Sequence, residues 1–330
     1  MSHQIAVVTG CAGFIGLNLA QKLLSDGWSV YGIDKLTHVS DLTELLNLKS
    51  IHGIKFKFVE EDIAKIKWLP ECDVIFNLAA ESDVDISNSG CKDFIKSNVE
   101  GVRNLLDIIN SRIVIRVDKP LFFQFSTDEV YGDLENGNFD ESNQLNPSNP
   151  YSATKASADL LIQSWSRTHG LDYIIVRPSN NYGLCQYPEK LIPLAVKRLQ
   201  RNLPIKLHNE GKPIRTWTHV EDTIDAVMWL YQVSGYENIK NKVYNISSEY
   251  EQTNLETVTK IINQYFLGTT KRSIPNLEDY LDFSYDRPGQ DVRYSISCKP
   301  LREIGWKPEK SFDDELPKLV EYYKKRDWIW

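Results

Sequence analysis

Val7-Val-Thr-Gly10-Cys-Ala-Gly13-Phe-Ile-Gly16 decides how this 330-residue chain is read. Three glycines, each separated by two residues, stand between an apolar run, Ile5 to Val8, and a helical pattern, Phe14 to Ser25. Glycine lets the backbone turn sharply and approach a pyrophosphate closely. The helix that follows presents unpaired N–H groups and a positive dipole end. The spacing is GxxGxxG, a variant of the usual GxGxxG, and it predicts a strand, a tight turn and a helix that bind a dinucleotide. Gly10, Gly13, Phe14, Ile15 and Gly16 are its candidate contacts. Asp34 closes the next apolar run, Ser29 to Ile33, where an acidic ribose ligand is expected about 20 residues on. A carboxylate there accepts from the ribose hydroxyls and repels a 2′-phosphate, which favours NAD over NADP. Lys35 follows directly and softens that preference. Asp62 and Ile63, after a third apolar run, are candidate adenine contacts.

Outward from this stretch, short apolar runs alternate with amphipathic ones. Strands are predicted at Lys55 to Val59, Val74 to Leu78, Leu121 to Phe125 and Tyr173 to Val176. Helices are predicted at Phe94 to Ile109 and, after Pro150, at Tyr151 to Arg167. This alternation implies an α/β fold, a Rossmann-type doubly wound parallel sheet covered on both faces. After Arg177-Pro178 the pattern becomes irregular. A helix near Glu221 to Val233 and a strand at Val243 to Ile246 read as a return to the main sheet, with later helices at Leu255 to Phe266 and Phe312 to Lys324. The expected organisation is an NAD-binding Rossmann domain of residues 1–178 and about 218–246. A smaller, discontinuous substrate-binding domain takes about 179–217 and 247–330.

Hydrophobic residues make up 42% and charged residues 25%, ordinary for a globular protein. The net charge of −7 argues against a nucleic-acid surface, so an anionic ligand must meet a local pocket. No stretch approaches the roughly 18 apolar residues of a membrane span. The first nine residues lack a basic segment followed by a long apolar one, so no secretory signal is expected. The five cysteines are odd in number and widely spaced, without zinc-ligand spacing; free thiols, a cytoplasmic setting and no metal are expected.

Tyr151-Ser-Ala-Thr-Lys155 places a phenol and an ammonium on one helix face. A phenol has an unperturbed pKa of about 10. A nearby ammonium is expected to lower it and make a base usable near neutrality. Two other Tyr-x3-Lys pairs occur, at Tyr31 and Tyr236, but only Tyr151 follows a strand ending in Ser126-Thr127, whose hydroxyls can hold a substrate oxygen beside the phenol.

The glycines, Ser126-Thr127 and Tyr151-x3-Lys155, in this order, resemble the extended short-chain dehydrogenase/reductases. Ser126-Thr-Asp128-Glu129-Val-Tyr131-Gly132 is similar to the dTDP-glucose 4,6-dehydratases of that superfamily. So are Ala79-Ala-Glu81-Ser82, Arg177-Pro-Ser-Asn180-Asn-Tyr-Gly183, Tyr187-Pro-Glu189-Lys190-Leu-Ile-Pro193 and Asp286-Arg287-Pro-Gly289. The resemblance covers nearly the whole chain. It implies that Tyr151, aided by Thr127 and Lys155, takes the C4 hydroxyl proton as NAD takes hydride. Glu129 would then act as the C5 base and Asp128 as the acid for the C6 hydroxyl. It further implies cofactor contacts at Leu78, Ala79, Ala80, Asn98, Ser126 and Asn180. Substrate contacts are implied at Glu81, Ser82, Thr127, Asn180, Lys190, Leu191, Arg215, Asn245, Arg287 and Arg293. The helices Phe94 to Ile109 and Tyr151 to Arg167 resemble those that pair in family dimers, so a homodimer through a helix bundle is expected.

Two features depart from the pattern: Asp83 stands where these dehydratases commonly show His, and the connection from Asp62 to Asn77 is short. The base and sugar therefore stay open between dTDP-glucose and UDP-glucose, with a UDP-N-acetylglucosamine dehydratase acting 4,6 or 5,6 as an alternative. A UDP-sugar 4-epimerase would use the same oxidation without the acidic pair. A non-catalytic NAD-binding sensor or scaffold would not need Tyr151 and Lys155. The aromatic end, Trp328-Ile-Trp330, is expected to pack on the body of the protein.

Overall fold

A computed structural model describes residues 4–114, 119–236, 238–267, 276–284 and 291–326. Its strands are β1 (Ile5–Thr9), β2 (Ser29–Asp34), β3 (Phe56–Glu60), β4 (Val74–Asn77), β5 (Leu121–Phe125), β6 (Tyr173–Pro178), β7 (Asn180–Tyr182), β8 (Ile205–Lys206), β9 (Ile214–His219), β10 (Lys242–Ile246), β11 (Glu251–Thr253) and β12 (Leu281–Asp282). The helices are α1 (Phe14–Ser25), α2 (Leu42–His52), α3 (Val84–Ser89), α4 (Lys92–Phe94), α5 (Gly101–Val114), α6 (Pro150–His169), α7 (Leu191–Gln200), α8 (Val220–Val233), α9 (Asn254–Phe266), α10 (Lys299–Glu303) and α11 (Phe312–Lys325). None is long and apolar enough to cross a membrane.

Seven strands pair in the order β10-β6-β5-β4-β1-β2-β3, all parallel. β5 and β6 are buried at every residue, so their near-continuous apolar sequence packs both faces of the sheet. On one face Leu19, Leu23, Phe76, Phe123, Val227 and Tyr244 share a cluster. On the other lie Val7, Ile75, Leu105, Phe122 and Ile162. The chain winds outward from β1 through β2 to β3, then crosses to β4 on the other side of β1. That reversal opens a crevice at the C-terminal ends of β1 and β4, where open α/β sheets bind ligands. Gly10 and Leu78 are the first residues beyond those two strands.

β7, β9 and β11 form a second sheet, and β8 pairs with β12. Around them a separate aromatic cluster, including Tyr182, Trp217, Phe312 and Tyr323, packs against α7, α9 and α11. β10 returns to the large sheet beside β6, as its apolar alternation predicts.

The irregular stretch after Pro178 holds β7, β8, β9 and α7, which no periodicity predicts, and two elements of the first half also differ from expectation. The predicted helix Phe94 to Ile109 begins at Lys92, passes through a π turn at Ile95–Glu100 and runs on to Val114. The wider turn brings the Asn98 side chain against Glu81 and Thr154. α2 was not foreseen: Leu42, Leu46 and Ile51 are exposed, so its apolar residues mark no clear buried face. Asp41, three residues before Glu44, was its sequence signal, and Asp41 accepts the Glu44 N–H at 3.1 Å.

Candidate active site

The glycine turn is built as its sequence requires. Gly10 has φ +69°, and a Cβ on it would stand 2.7 Å from Ala79 N. A Cβ on Gly16 would collide with the Gly10 carbonyl oxygen. Gly13 is the N-cap of α1 and has no side chain to satisfy the helix N–H groups, so they face the crevice. Gly10, Gly13, Phe14, Ile15 and Gly16 line a cavity of about 290 Å³ with Leu78, Ala80 and Ser126. A smaller hollow of about 90 Å³ adjoins it, sharing Gly10, Gly13, Val39, Leu78 and Ala80.

Asp34, Lys35, Asp62, Ile63 and Ala79 line the smaller hollow. Asp34 accepts the Ala12 N–H at 3.0 Å and the Leu36 N–H at 2.8 Å, so the candidate ribose ligand also fastens the glycine turn. Burial pushes its pKa up, and those two bonds resist the shift. Lys35 turns towards Glu81 (2.5 Å) and Ser97 (2.9 Å). Asp62 pairs with Lys96 at 3.1 Å. Asn98 lines neither cavity; it is buried, its amide bridging the backbone of Glu81 and the Thr154 hydroxyl, so it positions the Ala79–Ser82 turn. The free helix end, close-approach glycines and strand-end carboxylate fit a dinucleotide, with Asn180 adding a buried Oδ1 that has no partner among the described residues.

The candidate catalytic side chains meet on the floor of the larger cavity. Thr127, Asp128, Glu129, Tyr151 and Lys155 all line it. α6 places Tyr151 and Lys155 one turn apart. The helix is fixed at its start by an Asn149–Ser152 capping box with Pro150 in the first turn, and it ends at left-handed Gly170. The acidic pair sits on a short 3₁₀ turn, Asp128–Tyr131, directly after β5, where the Thr127 hydroxyl accepts the Glu129 N–H at 3.3 Å. Asp128 is 4% exposed. Burial, then the neighbouring Glu129, pushes its pKa up to about 7. One of its oxygens accepts from Thr127 at 3.2 Å; the other is buried without a partner among the described residues. Burial also raises Glu129, and the Asn149 amide, bound at 3.2 Å, opposes the rise. The two carboxyl groups stand in different settings, as an acid and a base require.

The expected effect of Lys155 on Tyr151 is corrected. Burial, then the charge of Glu129, holds the Tyr151 phenol well above its ordinary range, with a hydrogen bond to Thr127 pulling the other way. The Lys155 ammonium is turned to the Phe125 carbonyl oxygen at 2.5 Å instead. Burial brings Lys155 down to about 8, and Asp159 resists. Asp159, one further turn along α6, is fully buried. It binds Ser126 Oγ at 3.0 Å and Arg177 at 2.9 Å, so an ion pair underlies the floor of the cavity.

The other predicted substrate contacts divide. Ser82, Asn180 and Lys190 line the cavity, and the Lys190 ammonium reaches Glu189 at 3.1 Å. Arg215 lies over the Tyr294 ring, its charge acting on both acidic groups. Glu81 is paired with Lys35. Leu191 starts α7 and packs on the aromatic cluster. Arg293 is bound to Glu251 at 2.9 Å. Asn245 is wholly buried, its amide held by Tyr131 and by the Ser297 carbonyl, so it supports the floor from behind. Arg287, with Asp286 and Gly289, and the aromatic end Trp328-Ile-Trp330 lie outside the described residues. Asp83 caps α3 by accepting the Ile86 N–H at 2.9 Å, a local role for the residue that departs from the family pattern.

The GDP-mannose 4,6 dehydratase family model matches residues 7–319. The low-salt glycan biosynthesis protein Agl12 of Haloferax volcanii is 39% identical, covering 96% of this chain and 97% of that protein. The dTDP-glucose 4,6-dehydratase of Haemophilus influenzae is 38% identical over 96% of this chain and 97% of its own length. The chain belongs to the dTDP-glucose 4,6-dehydratase family. A solved family structure, DesIV from Streptomyces venezuelae with NAD bound, superposes with a TM-score of 0.86 at 32% identity, covering 98% of this chain and 97% of that one. Within the dehydratase site, sequence reasoning missed Asn149, Ser179, Gln186 and Glu189. Gln186 and Glu189 sit in an irregular loop without periodicity to place them. Asn149 carried a signal, being a preferred N-cap residue directly before Pro150 and Tyr151.

Proposed function

We propose that the enzyme removes water from a nucleoside-diphosphate hexose, dTDP-glucose or UDP-glucose, giving the 4-keto-6-deoxy sugar with NAD recycled in each turnover. The observation that carries this is the meeting of Asp128, Glu129 and Tyr151 on the wall of the cavity that also holds the glycine turn. When bound, the nicotinamide supplies a hydride acceptor at C4 and returns the hydride at C6. Tyr151 takes the C4 hydroxyl proton, with Thr127 holding the oxygen and the Lys155 ammonium, one helical turn away and bound to the Phe125 carbonyl, on the same cavity wall. The resulting ketone acidifies the C5 hydrogen, which Glu129 removes as Asp128 protonates the departing C6 hydroxyl. Protonation at C5 completes the product. Lys190 and Arg215 are the cations that would meet the diphosphate and sugar.

Replacing either acid tests this assignment. Glu129→Gln should lower water loss by about 10²–10⁴-fold, and Asp128→Asn should oxidise C4 yet fail to eliminate water. A Glu129→Gln enzyme with wild-type turnover would remove the dehydratase reading and favour an epimerase.

The two-part organisation, 1–178 with about 218–246 against about 179–217 with 247–330, is supported by the return of β10 to the large sheet and by the separate aromatic cluster. A cytoplasmic homodimer packed through α5 and α6 fits the exposed Ile95 and Leu160 beside and on those helices.

A further inference from the structure

Asn149 joins the start of the catalytic helix to the acidic pair. Its Oδ1 accepts the Ser152 N–H at 2.9 Å, and its Nδ2 donates to Glu129 Oε2 at 3.2 Å. A backbone N–H only donates, so the amide carbonyl must face Ser152 and the amide NH₂ must face Glu129. The orientation of this donor is therefore fixed by the helix cap. Among the described residues Asp128 receives no such amide: one oxygen meets the Thr127 hydroxyl, and the other is buried without a partner.

We propose that Asn149 is a positioning residue that assigns the roles within the acidic pair, holding Glu129 as the anionic base while Asp128 keeps the proton. This rests on the reading of Glu129 as the C5 base. The charged groups facing Glu129 come from several elements: Asp128 beside it, Tyr151 on α6, Arg215 on β9, Lys190 before α7, and Asp291 with Tyr294 from the C-terminal segment. Arg215 and Lys190 favour the anion and Asp291 opposes it, but the Asn149 bond is the strongest influence on the anion's side. A hydrogen bond given to the charged form of an acid stabilises that form.

Asn149→Ser separates the two roles. Serine is as good an N-cap as asparagine, yet it has no amide to donate. The holoenzyme is incubated with dTDP-glucose, and solvent-deuterium entry at C5 is followed against pH beside the absorbance of the reduced dinucleotide. For Asn149→Ser the acidic limb of C5 exchange should move to higher pH, with exchange about tenfold slower on that limb. It should converge on wild type towards alkaline pH, and C4 oxidation should fall less than exchange does. Asn149→Asp, which keeps the cap and adds a like charge, should shift the limb further. An unshifted limb in both variants, or a loss equal at every pH, would overturn the proposal. A parallel Glu129→Gln arm separates the two failures. If that variant loses C5 exchange while the Asn149 variants keep the wild-type profile, only the role of Asn149 falls. If it retains exchange, the assignment of the base falls with it.

Discussion

Asp128 and Glu129 are neighbours in sequence but not in chemistry. Asp128 is nearly sealed from water and titrates at about 7, because burial and an adjacent carboxyl favour its neutral form. Its proton is available below that pH and lost above it. Water loss should therefore decline as pH rises through about 7, and decline again on the acidic side as Glu129 is protonated, above the usual carboxylate range. Product formation at saturating substrate across pH checks this; a rate still climbing well past the Asp128 value would contradict it. Tyr151→Phe should lower C4 oxidation by about 10²–10⁴-fold, read from the first turnover. The acid pair, Tyr151 and Lys155 were legible as residues because their spacing and order are distinctive. Their electrostatics were not: whether Lys155 faces the phenol or the Phe125 carbonyl depends on where β5 ends, and no spacing along α6 encodes that.

The glycine turn and α6 carry the site's geometry. Gly16→Ala would drive a Cβ into the Gly10 carbonyl oxygen. Overpacking of this kind costs about 1–3 kcal/mol; borne by the dinucleotide-bound turn, that is a loss of roughly 5- to 150-fold in dinucleotide affinity. Titration of the stripped enzyme with NAD measures it, and unchanged affinity would contradict the turn's assigned role. Beneath α6, Asp159→Asn would leave the Arg177 guanidinium buried without its counter-charge, costing about 3–5 kcal/mol in denaturant unfolding. A cost within about 0.5 kcal/mol, the size of a surface substitution, would mean the pair is not structural. Strongly periodic elements were readable to within a residue or two, as at α1, β5 and α9. The π turn at Ile95–Glu100 was not, since its register is set by Asn98 meeting Glu81 and Thr154 from other segments. α2 escaped because it is anchored through its cap more than through an apolar face.

At the scale of the molecule, the two halves meet over the cavity: the sheet brings the dinucleotide turn and the acids, and the irregular second half brings Asn180, Glu189 and Lys190. The doubly wound sheet followed from alternating patterns, whereas the second sheet's short strands, β7, β9 and β11, pair across long gaps that sequence does not reveal. If α5 and α6 pack against a second copy, light scattering should give twice the chain mass, and Leu160→Lys should reduce it to one. The most direct test of the account is the mass of the product formed from dTDP-, UDP-, GDP- and CDP-hexoses in deuterated water. It predicts, for dTDP-glucose or UDP-glucose, a product that has lost one water and gained one solvent deuterium at C5. A product with the same composition as its substrate and no deuterium at C5 would contradict it.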